Sequence, residues 1–380
     1  MSTSAELRAA LTERLTTDGI LTDREWTTAA RAVPRELFVG SFFAPVAGSM
    51  PTSYRPLREG ESGWLDEIYD DQTLVTQLDG RIRPDDVSGE AVTGSPSSSS
   101  TLPSLVLRMW HQLGTEAGHR VLEIGTGTGY STALGAHRLG DANLTSIEYD
   151  PEIAERAATA IKAAGYAPRL ITGDGLRGDP NRGSYDRLIA TCSVRYIPLP
   201  WLHQVKAGGQ ILVTLSGWSY VNALALLTVT APGEASGHFL HDQASFMIAR
   251  PHDRPPLPVL DLLPGEERPT QISPAVLDNW VGGWVAQLAA PSAVRMGAGD
   301  RQILWDVATG SQARTEPDAD GGWTVTQRGP VRLWDRVERA LQHWQGAGEP
   351  SHDEFGITVS AAAQRVWIGA EDGPGWDLPI

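Results

Sequence analysis

Apolar residues from Leu102 onward recur with the period of an α-helix. After Leu102, the next apolar residues come three, four, seven, eight and eleven positions later, at Leu105, Val106, Met109, Trp110 and Leu113. This spacing predicts one buried helical face. Pro103 suits the first turn of this helix, because the N–H that proline lacks would be unpaired there anyway. The sequence therefore predicts a helix that begins near Pro103 and packs through one side.

The hundred residues before this helix carry weaker signals. Residues 1–45 predict two short helices, the first with Leu7, Leu11 and Leu15 on one face,. Residues 40–100 are rich in Gly, Pro and Ser and predict only a weak strand at 73–78,. We therefore expect an N-terminal cap of helices and loops over about residues 1–100.

Short strands and helices alternate after residue 120. The predicted strands are 120–124, 144–148, 169–172, 186–191 and 210–215, and the predicted helices are 130–139, 152–164 and 200–205. Alternation of this kind predicts a mostly parallel, doubly wound sheet, which is a Rossmann-like α/β fold. Residues 223–229 and 246–250 are candidates for antiparallel edge strands.

Prolines crowd together after residue 250, at Pro251, Pro255, Pro256, Pro258, Pro264, Pro269 and Pro274. Such density stiffens a chain without letting it fold regularly, so we predict a linker at 251–275. The linker separates a catalytic domain, residues 1–250, from an α+β domain, residues 276–380, with a helix at 331–344. This second domain carries eight of the thirteen tryptophans, which indicates a compact core or, for some of them, a peptide-binding surface.

Composition and charge narrow the function classes. The formal net charge of −15 argues against nucleic acid or an anionic membrane as a partner,. The N-terminus lacks the charged-then-apolar pattern of a signal peptide, and no apolar run reaches the length of a membrane span,. The single cysteine, Cys192, excludes an internal disulfide and a cysteine-based metal site,. We therefore expect a cytoplasmic protein without a metal.

A glycine-rich turn is the central chemical motif. Residues 121–130 read as a strand, then Gly125, Gly127 and Gly129, then a helix, so the backbone turns tightly and leaves room for a ligand,. A nicotinamide enzyme prefers G-x-G-x-x-G, whose last position is Tyr130 here,. Glu123 at the strand end suits a cationic ligand better than a pyrophosphate. S-adenosylmethionine has no phosphate and carries a sulfonium and an ammonium group.

Two more acidic strand ends fit the same ligand. Glu148 ends the second strand, 19 residues after Gly129, where a carboxylate binds ribose hydroxyls,. Asp174 follows the third strand, where the adenine edge is expected. A lone glycine triplet is compatible with a purely structural turn, but three acidic strand ends in order favour S-adenosylmethionine.

The sequence resembles the protein-L-isoaspartate O-methyltransferases over roughly residues 5–218. The matching motifs are Val33-Pro34-Arg35 with Phe38, Tyr69-Asp70-Asp71, Thr101-Leu102-Pro103, Leu122 to Tyr130, Gly173-Asp174-Gly175 with Gly178, Tyr185 to Ile189, Ile197-Pro198 and Gln204 to Gly209. The resemblance implies a class I S-adenosylmethionine methyltransferase that esterifies a carboxylate. It also implies the cofactor-binding residues, which are Glu123, Gly125, Thr126, Gly127, Gly129, Tyr130, Glu148, Tyr149, Asp174 and Gly175.

Hydroxyl side chains precede the Pro103 helix. The family carries a hydroxyl residue two positions before the proline, which is Thr101 here in place of the usual serine, and Ser97 to Ser100 lie just upstream. We read this run as lying at the start of the helix, where hydroxyls and free N–H groups form a carboxylate cradle. Thr101, Ser100 and Ser99 are therefore the predicted catalytic residues. A substrate carboxylate is already ionised, so positioning supplies most of the effect and no catalytic histidine is expected.

About 130 residues beyond the resemblance point to a specialised branch. Residues 304–306, 327–330 with 333–335, and 355–357 resemble the tails of methyltransferases paired with ATP-grasp ligases in ribosomal peptide (graspetide-type) maturation. Those enzymes methylate an aspartate of a macrocyclised precursor, and the ester then closes to a succinimide (aspartimide). On this interpretation residues 276–380 recognise the peptide. The alternatives are general isoaspartate repair, a cofactor-binding scaffold without activity and, disfavoured by Tyr130, a nicotinamide oxidoreductase.

Overall fold

The structure is a computed structural model that describes residues 2–257 and 259–380. Met1 and Pro258, which fall in the predicted catalytic domain and the predicted linker, lie outside the described residues. The chain divides into two compact units, residues 1–191 with 204–212 and residues 192–203 with 213–380. Each unit is described by itself.

The first unit begins with helices and a small antiparallel sheet. The elements are α1 (Ser4–Thr17), α2 (Arg24–Ala32), β1 (Phe42–Pro45), β2 (Ser53–Leu57), α3 (Trp64–Ile68), β3 (Leu74–Leu78), β4 (Val92–Thr93), β5 (Pro96–Ser100) and α4 (Pro103–Gln112). The sheet order is β4-β2-β1-β3-β5. The two N-terminal helices, β3 and α4 confirm the sequence predictions. The other four strands were missed, because strands of two to five residues broken by turns show no clear hydrophobic period,.

Local capping and tryptophan packing hold the helices of this unit. Asp23 caps α2 by accepting from the N–H groups of Glu25 and Trp26. The ring of Trp26 stacks on Trp110 of α4 with 5.3 Å between centroids, and both rings are almost fully buried. This contact between α2 and α4 anchors the segment that leads into α4.

A parallel α/β layer follows in the order that the sequence predicted. Its elements are β6 (Val121–Ile124), α5 (Tyr130–Leu139), β7 (Leu144–Glu148), α6 (Pro151–Ala163), β8 (Arg169–Thr172), β9 (Tyr185–Val194), α7 (Leu199–Gln204) and β10 (Val205–Leu215). β6 pairs in parallel with both β7 and β9, and β7 pairs in parallel with β8. The strand order β10-β9-β6-β7-β8 is that of a doubly wound sheet,.

Helix α5 packs against α4 through a glycine. A Cβ at Gly135 would lie 2.7 Å from the ring of Trp110, so a larger residue would push the two helices apart. Trp110 also donates its indole N–H to Ser131, at 3.0 Å, in the first turn of α5. The start of α5, where the glycine-rich turn ends, is therefore fixed in space.

The second unit holds most of α7 and continues with antiparallel strands and two further helices. They are β11 (Ala223–Ala231), β12 (Glu234–Phe239), β13 (Glu266–Thr270), α8 (Trp280–Ala289), β14 (Ala293–Ala298), β15 (Arg301–Asp306), β16 (Gln312–Pro317), β17 (Trp323–Arg328), α9 (Leu333–Gly346), β18 (Phe355–Val359), β19 (Gln364–Ile368) and β20 (Gly375–Asp377). The strands form the runs β11-β12-β18-β19-β20 and β13-β17-β16-β15-β14.

Long-range pairing explains where this unit departs from the local signals. β12 pairs antiparallel with β18, which ties residues 223–239 to the C-terminal segment. The expected strand at 246–250 is absent from the described chain, where Ile248 makes only an isolated bridge to Ser193. β13 lies inside the proline-rich segment, and its Pro269 is tolerated because β13 is an edge strand,.

Most tryptophans of the C-terminal segment belong to the core. Trp284, Trp305, Trp334, Trp344 and Trp367 are buried. Trp280, Trp323 and Trp376 are partly exposed. Only these last three are available for a peptide-binding surface. Across the described residues, no helix is both long and apolar enough to cross a membrane.

Candidate functional site

The glycine-rich turn between β6 and α5 requires glycine at three positions. Gly125, Gly127 and Gly129 have φ angles of 96°, 55° and 93°, in the left-handed region that strains other residues,. A Cβ at Gly125 would lie 2.7 Å from the hydroxyl of Thr191, which donates to the Gly125 carbonyl. The turn therefore exposes bare backbone on one side and packs tightly on the other.

Glu123 lies beneath this turn and is fully buried. Its carboxylate accepts from Ser131 at 2.5 Å, from Thr132 at 2.5 Å and from Ser146 at 2.7 Å. Burial raises the pKa of Glu123, and the three hydroxyls oppose that shift,. Thr126 joins the same cluster through Ser146, at 2.7 Å. Glu123 therefore holds β6, β7 and α5 together, and its direct contact with a cofactor stays a prediction.

Glu148 meets the turn from the end of β7. One carboxylate oxygen accepts from the backbone N–H of Gly127 at 2.8 Å, and the other accepts from the backbone N–H of Asp150 at 3.0 Å. The side chain is nearly buried, with 9% exposed, whereas its neighbour Tyr149 is 47% exposed. The hydrogen bond from Gly127 therefore joins Glu148, the predicted ribose-binding residue, to the glycine-rich turn.

The Gly-Asp-Gly turn after β8 converges on the same sheet edge. The N–H of Gly173 donates to the carbonyl of Glu148 at 2.8 Å. A Cβ at Gly175 would lie 2.5 Å from Ile124 at the end of β6, so this glycine allows a close approach. Asp174 accepts from Leu176 at 3.0 Å, and its side chain is partly exposed. The structure brings the three predicted cofactor segments together.

The serine run contradicts one prediction, because it forms a strand and does not start a helix. Residues 96–100 are β5, paired with β3, whereas α4 begins at Pro103. Sheet pairing with a segment more than twenty residues away overrides the local signal. The N–H of Ser104 in the first turn of α4 is also occupied, since Asp71 accepts from it at 2.9 Å. The predicted cradle of helix N–H groups is therefore partly filled by the protein.

The backbone of the predicted catalytic segment nevertheless lies beside the glycine loop. The carbonyl of Ser99 would be 3.6 Å from a Cβ on Gly127. Ser100 is buried on the opposite side of the strand, and its hydroxyl makes no hydrogen bond. Ser99 and Thr101 are partly exposed. The strand thus presents alternate hydroxyls, and its backbone passes close to the turn.

Arg35 is a site residue that the sequence interpretation did not single out, although it lies in the Val33-Pro34-Arg35 motif. Its side chain is fully buried and donates to five backbone carbonyls, those of Ile68, Asp70, Gln72, Ser100 and Thr101. Burial lowers the pKa of Arg35 to about 10, so it stays charged at neutral pH,. Arg35 therefore fixes the backbone that carries the hydroxyls.

Tyr130 links this arginine to the loop. The ring of Tyr130 is buried at the start of α5, with the Arg35 guanidinium 5.8 Å and the Phe38 ring 5.9 Å from its centroid. Burial raises its pKa. Tyr130 stands where the nicotinamide-binding motif has its last glycine. Its buried ring packs the N-terminal segment against the glycine loop.

The sequence of the chain matches one family of known proteins. The model of the family described as protein-L-isoaspartate(D-aspartate) O-methyltransferase matches residues 88–236. The chain is 30% identical over 239 residues to a protein-L-isoaspartate O-methyltransferase of Hyperthermus butylicus, covering 60% of this chain and 83% of that protein. It is 32% identical over 210 residues to protein-L-isoaspartate O-methyltransferase 2 of Archaeoglobus fulgidus, covering 55% of this chain and 78% of that protein.

The fold is also similar to that of a solved structure. That protein is titled protein-L-isoaspartate O-methyltransferase, and the match has a TM-score of 0.58 at 19% sequence identity. It covers 96% of this chain and 100% of the solved chain. The similarity therefore extends through both units of the fold.

Proposed function

Because the chain belongs to the protein-L-isoaspartate O-methyltransferase family, we propose that it methylates an aspartate side chain in a macrocyclised ribosomal peptide. The family membership makes the chain a carboxyl O-methyltransferase that uses S-adenosylmethionine. The constrained peptide, and the pairing with an ATP-grasp ligase that would make it, go beyond the family and are our proposal. The cytoplasmic location stays a prediction.

The described residues fit the cofactor. The glycine loop exposes backbone beside the carboxylate of Glu148, and Asp174 is partly exposed at the same sheet edge. Carboxylates at two neighbouring strand ends suit ribose hydroxyls and a cationic ligand. We assign Glu148 to the ribose, Asp174 to the adenine edge, and the loop from Gly125 to Tyr130 to the rest of the cofactor.

When bound, S-adenosylmethionine supplies an electrophilic methyl group, and the protein supplies position. In our proposal the hydroxyls of Ser99 and Thr101 orient the substrate carboxylate toward the glycine loop, whereas Ser100, a predicted catalytic residue as well, is buried on the other side of the strand. Arg35 holds the backbone of two of these residues, so the hydroxyls are ordered before substrate arrives. No proton has to be moved from an ionised carboxylate, and orientation alone accelerates such a reaction strongly.

The observation that carries the peptide-tailoring proposal is the segment beyond the family match. Residues 237–380 fold into β13–β20 with α8 and α9, although the family match ends at residue 236. A repair enzyme that accepts many sequences needs little more than a site for one damaged residue. An enzyme that selects one peptide needs additional binding surface for that peptide. After methylation, the amide nitrogen of the next residue attacks the ester carbonyl and methanol leaves, which yields the succinimide.

General isoaspartate repair is the second candidate, and the comparisons favour it. The relatives carry that name, and the solved structure of that name corresponds in fold to 96% of this chain. A C-terminal segment is therefore compatible with repair as well as with peptide tailoring. The two candidates share the cofactor and the methyl transfer, and they differ in substrate.

A side-by-side assay separates the candidates. We expect poor turnover of a linear isoaspartyl peptide and good turnover of an aspartate in a crosslinked precursor peptide, because the C-terminal segment would select one peptide. A constrained amide close to the new ester then favours ring closure over hydrolysis. Mass spectrometry should show the gain of one methyl group and then a net loss of one water. Equal or faster turnover of the linear isoaspartyl peptide would assign the protein to repair.

Glu148→Ala should weaken cofactor binding by about 1.5–3 kcal/mol, because charge-assisted hydrogen bonds to the ribose are lost. The variant also frees the N–H of Gly127, which loosens the loop. Calorimetry with S-adenosylhomocysteine measures the effect. Glu155→Ala, an exposed carboxylate on α6, is the matched control. Unchanged affinity in the Glu148 variant would contradict this placement of the ribose.

A further inference from the structure

The start of α4 is capped by a distant segment of the first unit. Leu102 occupies the N-cap position, and its apolar side chain offers no acceptor to the backbone N–H groups of the first turn,. Asp71 supplies the acceptor instead, since its carboxylate accepts from the backbone N–H of Ser104 at 2.9 Å. The hydroxyl of Thr73 accepts from the backbone N–H of Leu102 at 3.2 Å. Residues 71–73 therefore do for α4 what a local capping side chain does for other helices.

Two other helices of this unit show the usual arrangement. Asp23 caps α2 and Asp150 caps α6, each from the position directly before its own helix. At α4 the nearest hydroxyl belongs to Thr101, one residue before the N-cap. Because Asp71 and Thr73 cap the helix from outside, the side chain of Thr101 is not needed for that purpose.

The backbone around Thr101 is held from both sides. The carbonyls of Ser100 and Thr101 each accept from Arg35 at 3.2 Å. The carbonyl of Leu102 accepts from the backbone N–H of Val106 at 3.3 Å, and the next residue, a proline, has no N–H. Thr101 itself is partly exposed. A side chain that stays accessible on a backbone fixed in this way is well suited to orient a substrate.

We propose that Asp71 is a positioning residue for methyl transfer, which holds the start of α4 so that the hydroxyl of Thr101 meets the substrate carboxylate. Asp71 acts as a hydrogen-bond acceptor and does not touch the reacting groups. Because it occupies the N–H of Ser104, the substrate carboxylate is left to the neighbouring hydroxyls. This inference rests on the role that the proposed function gives to Thr101, and it holds for the tailoring and the repair candidates alike.

Steady-state kinetics test the role of Asp71 with the crosslinked precursor peptide or the linear isoaspartyl peptide, whichever the parent protein turns over faster. Asp71→Ala should lower kcat at least about 10-fold, because a small displacement of a positioned group is costly. Asp71→Asn keeps an acceptor oxygen and should stay within about 3-fold of the parent protein, since asparagine caps helices as well as aspartate. An equal loss in both variants would contradict the acceptor role.

Cofactor affinity and a matched carboxylate are the controls. Affinity for S-adenosylhomocysteine, measured by calorimetry, should be unchanged in both variants, because the carboxylate of Asp71 bonds to α4 and not to the glycine loop. Asp66→Ala removes an exposed carboxylate of α3 and the same unit of charge, so it should keep its turnover.

A double-mutant cycle with Thr101→Ala shows whether Asp71 acts through this hydroxyl. If it does, the double variant should match Thr101→Ala within about 2-fold, because the hydroxyl to be positioned is already gone. Thr73→Val, at an exposed position, serves in the same cycle if Asp71→Ala folds poorly. Full turnover of Asp71→Ala, or losses that multiply in the double variant, would overturn the role of Asp71 alone. Normal turnover of Thr101→Ala would overturn the roles of Thr101 and Asp71 together.

Discussion

Simultaneous alanine substitution of Ser99, Ser100 and Thr101 is expected to lower peptide turnover about 100-fold, a loss typical of misplaced reacting groups. Ser99 lies beside the glycine loop, and Ser100 has a buried hydroxyl without a partner. The hydroxyls of Ser99 and Thr101 would contact only the substrate carboxylate, and that of Ser100 is buried on the other side of the strand, so affinity for S-adenosylhomocysteine should change little. Steady-state kinetics and calorimetry measure the two quantities on the same protein.

The neighbouring serines of the run provide a matched control. Ser97 bonds to Gln77 and Gly80, and Ser98 bonds to Thr76, so their hydroxyls are used within the small sheet. The double alanine variant of Ser97 and Ser98 should therefore keep its turnover if it folds. Normal turnover in the triple variant would place the substrate carboxylate elsewhere.

Arg35→Met is expected to lower the free energy of unfolding by about 3–5 kcal/mol, the range for breaking a buried charged network. Five carbonyl groups each lose the hydrogen bond from Arg35, and the side chain has no exposed surface through which water replaces it. Arg35→Lys should also destabilise the fold, since one ammonium group cannot reproduce the fork of a guanidinium. Chemical denaturation measures the loss.

Arg31→Met tests whether the effect comes from burial or from charge. Arg31 is exposed on α2, four residues before Arg35, and its removal changes the net charge equally. Its unfolding free energy should stay within about 0.5 kcal/mol of the parent protein, as is usual for surface positions. Similar losses in the two methionine variants would show that the carbonyl contacts of Arg35 do not stabilise the fold.

The central layer of the fold was predictable because its signals are local. Apolar strands, the glycines at 125, 127 and 129, and the helical stripe from Leu102 each span fewer than fifteen residues,. Parallel strands joined by helices can be ordered in a sheet in only a few ways. Three acidic residues at successive strand ends therefore already indicated that their side chains lie at the same edge of the sheet. The structure brings Glu148 and Asp174 to that edge as predicted.

The serine run shows where local signals fail. Its residues suit a loop or a helix start, yet they form β5 because β3, more than twenty residues earlier, offers a ladder of hydrogen bonds. Arg35 could be noticed only as part of a motif. Its role depends on carbonyl groups from residues 68, 70, 72, 100 and 101, which no spacing in the sequence reveals.

The sequence by itself therefore determined the α/β class, the glycine-rich loop and the family, since these follow from hydrophobic period, turn chemistry and ordered motifs. Only the tertiary structure decided that residues 223–239 pair with the C-terminal segment and that most C-terminal tryptophans are core. It alone also placed the guanidinium of Arg195 against the ring of Trp218 and the carbonyl of Pro291. Strand partners and charge burial are set by residues far apart in the chain, because they depend on which surfaces meet when the whole chain folds.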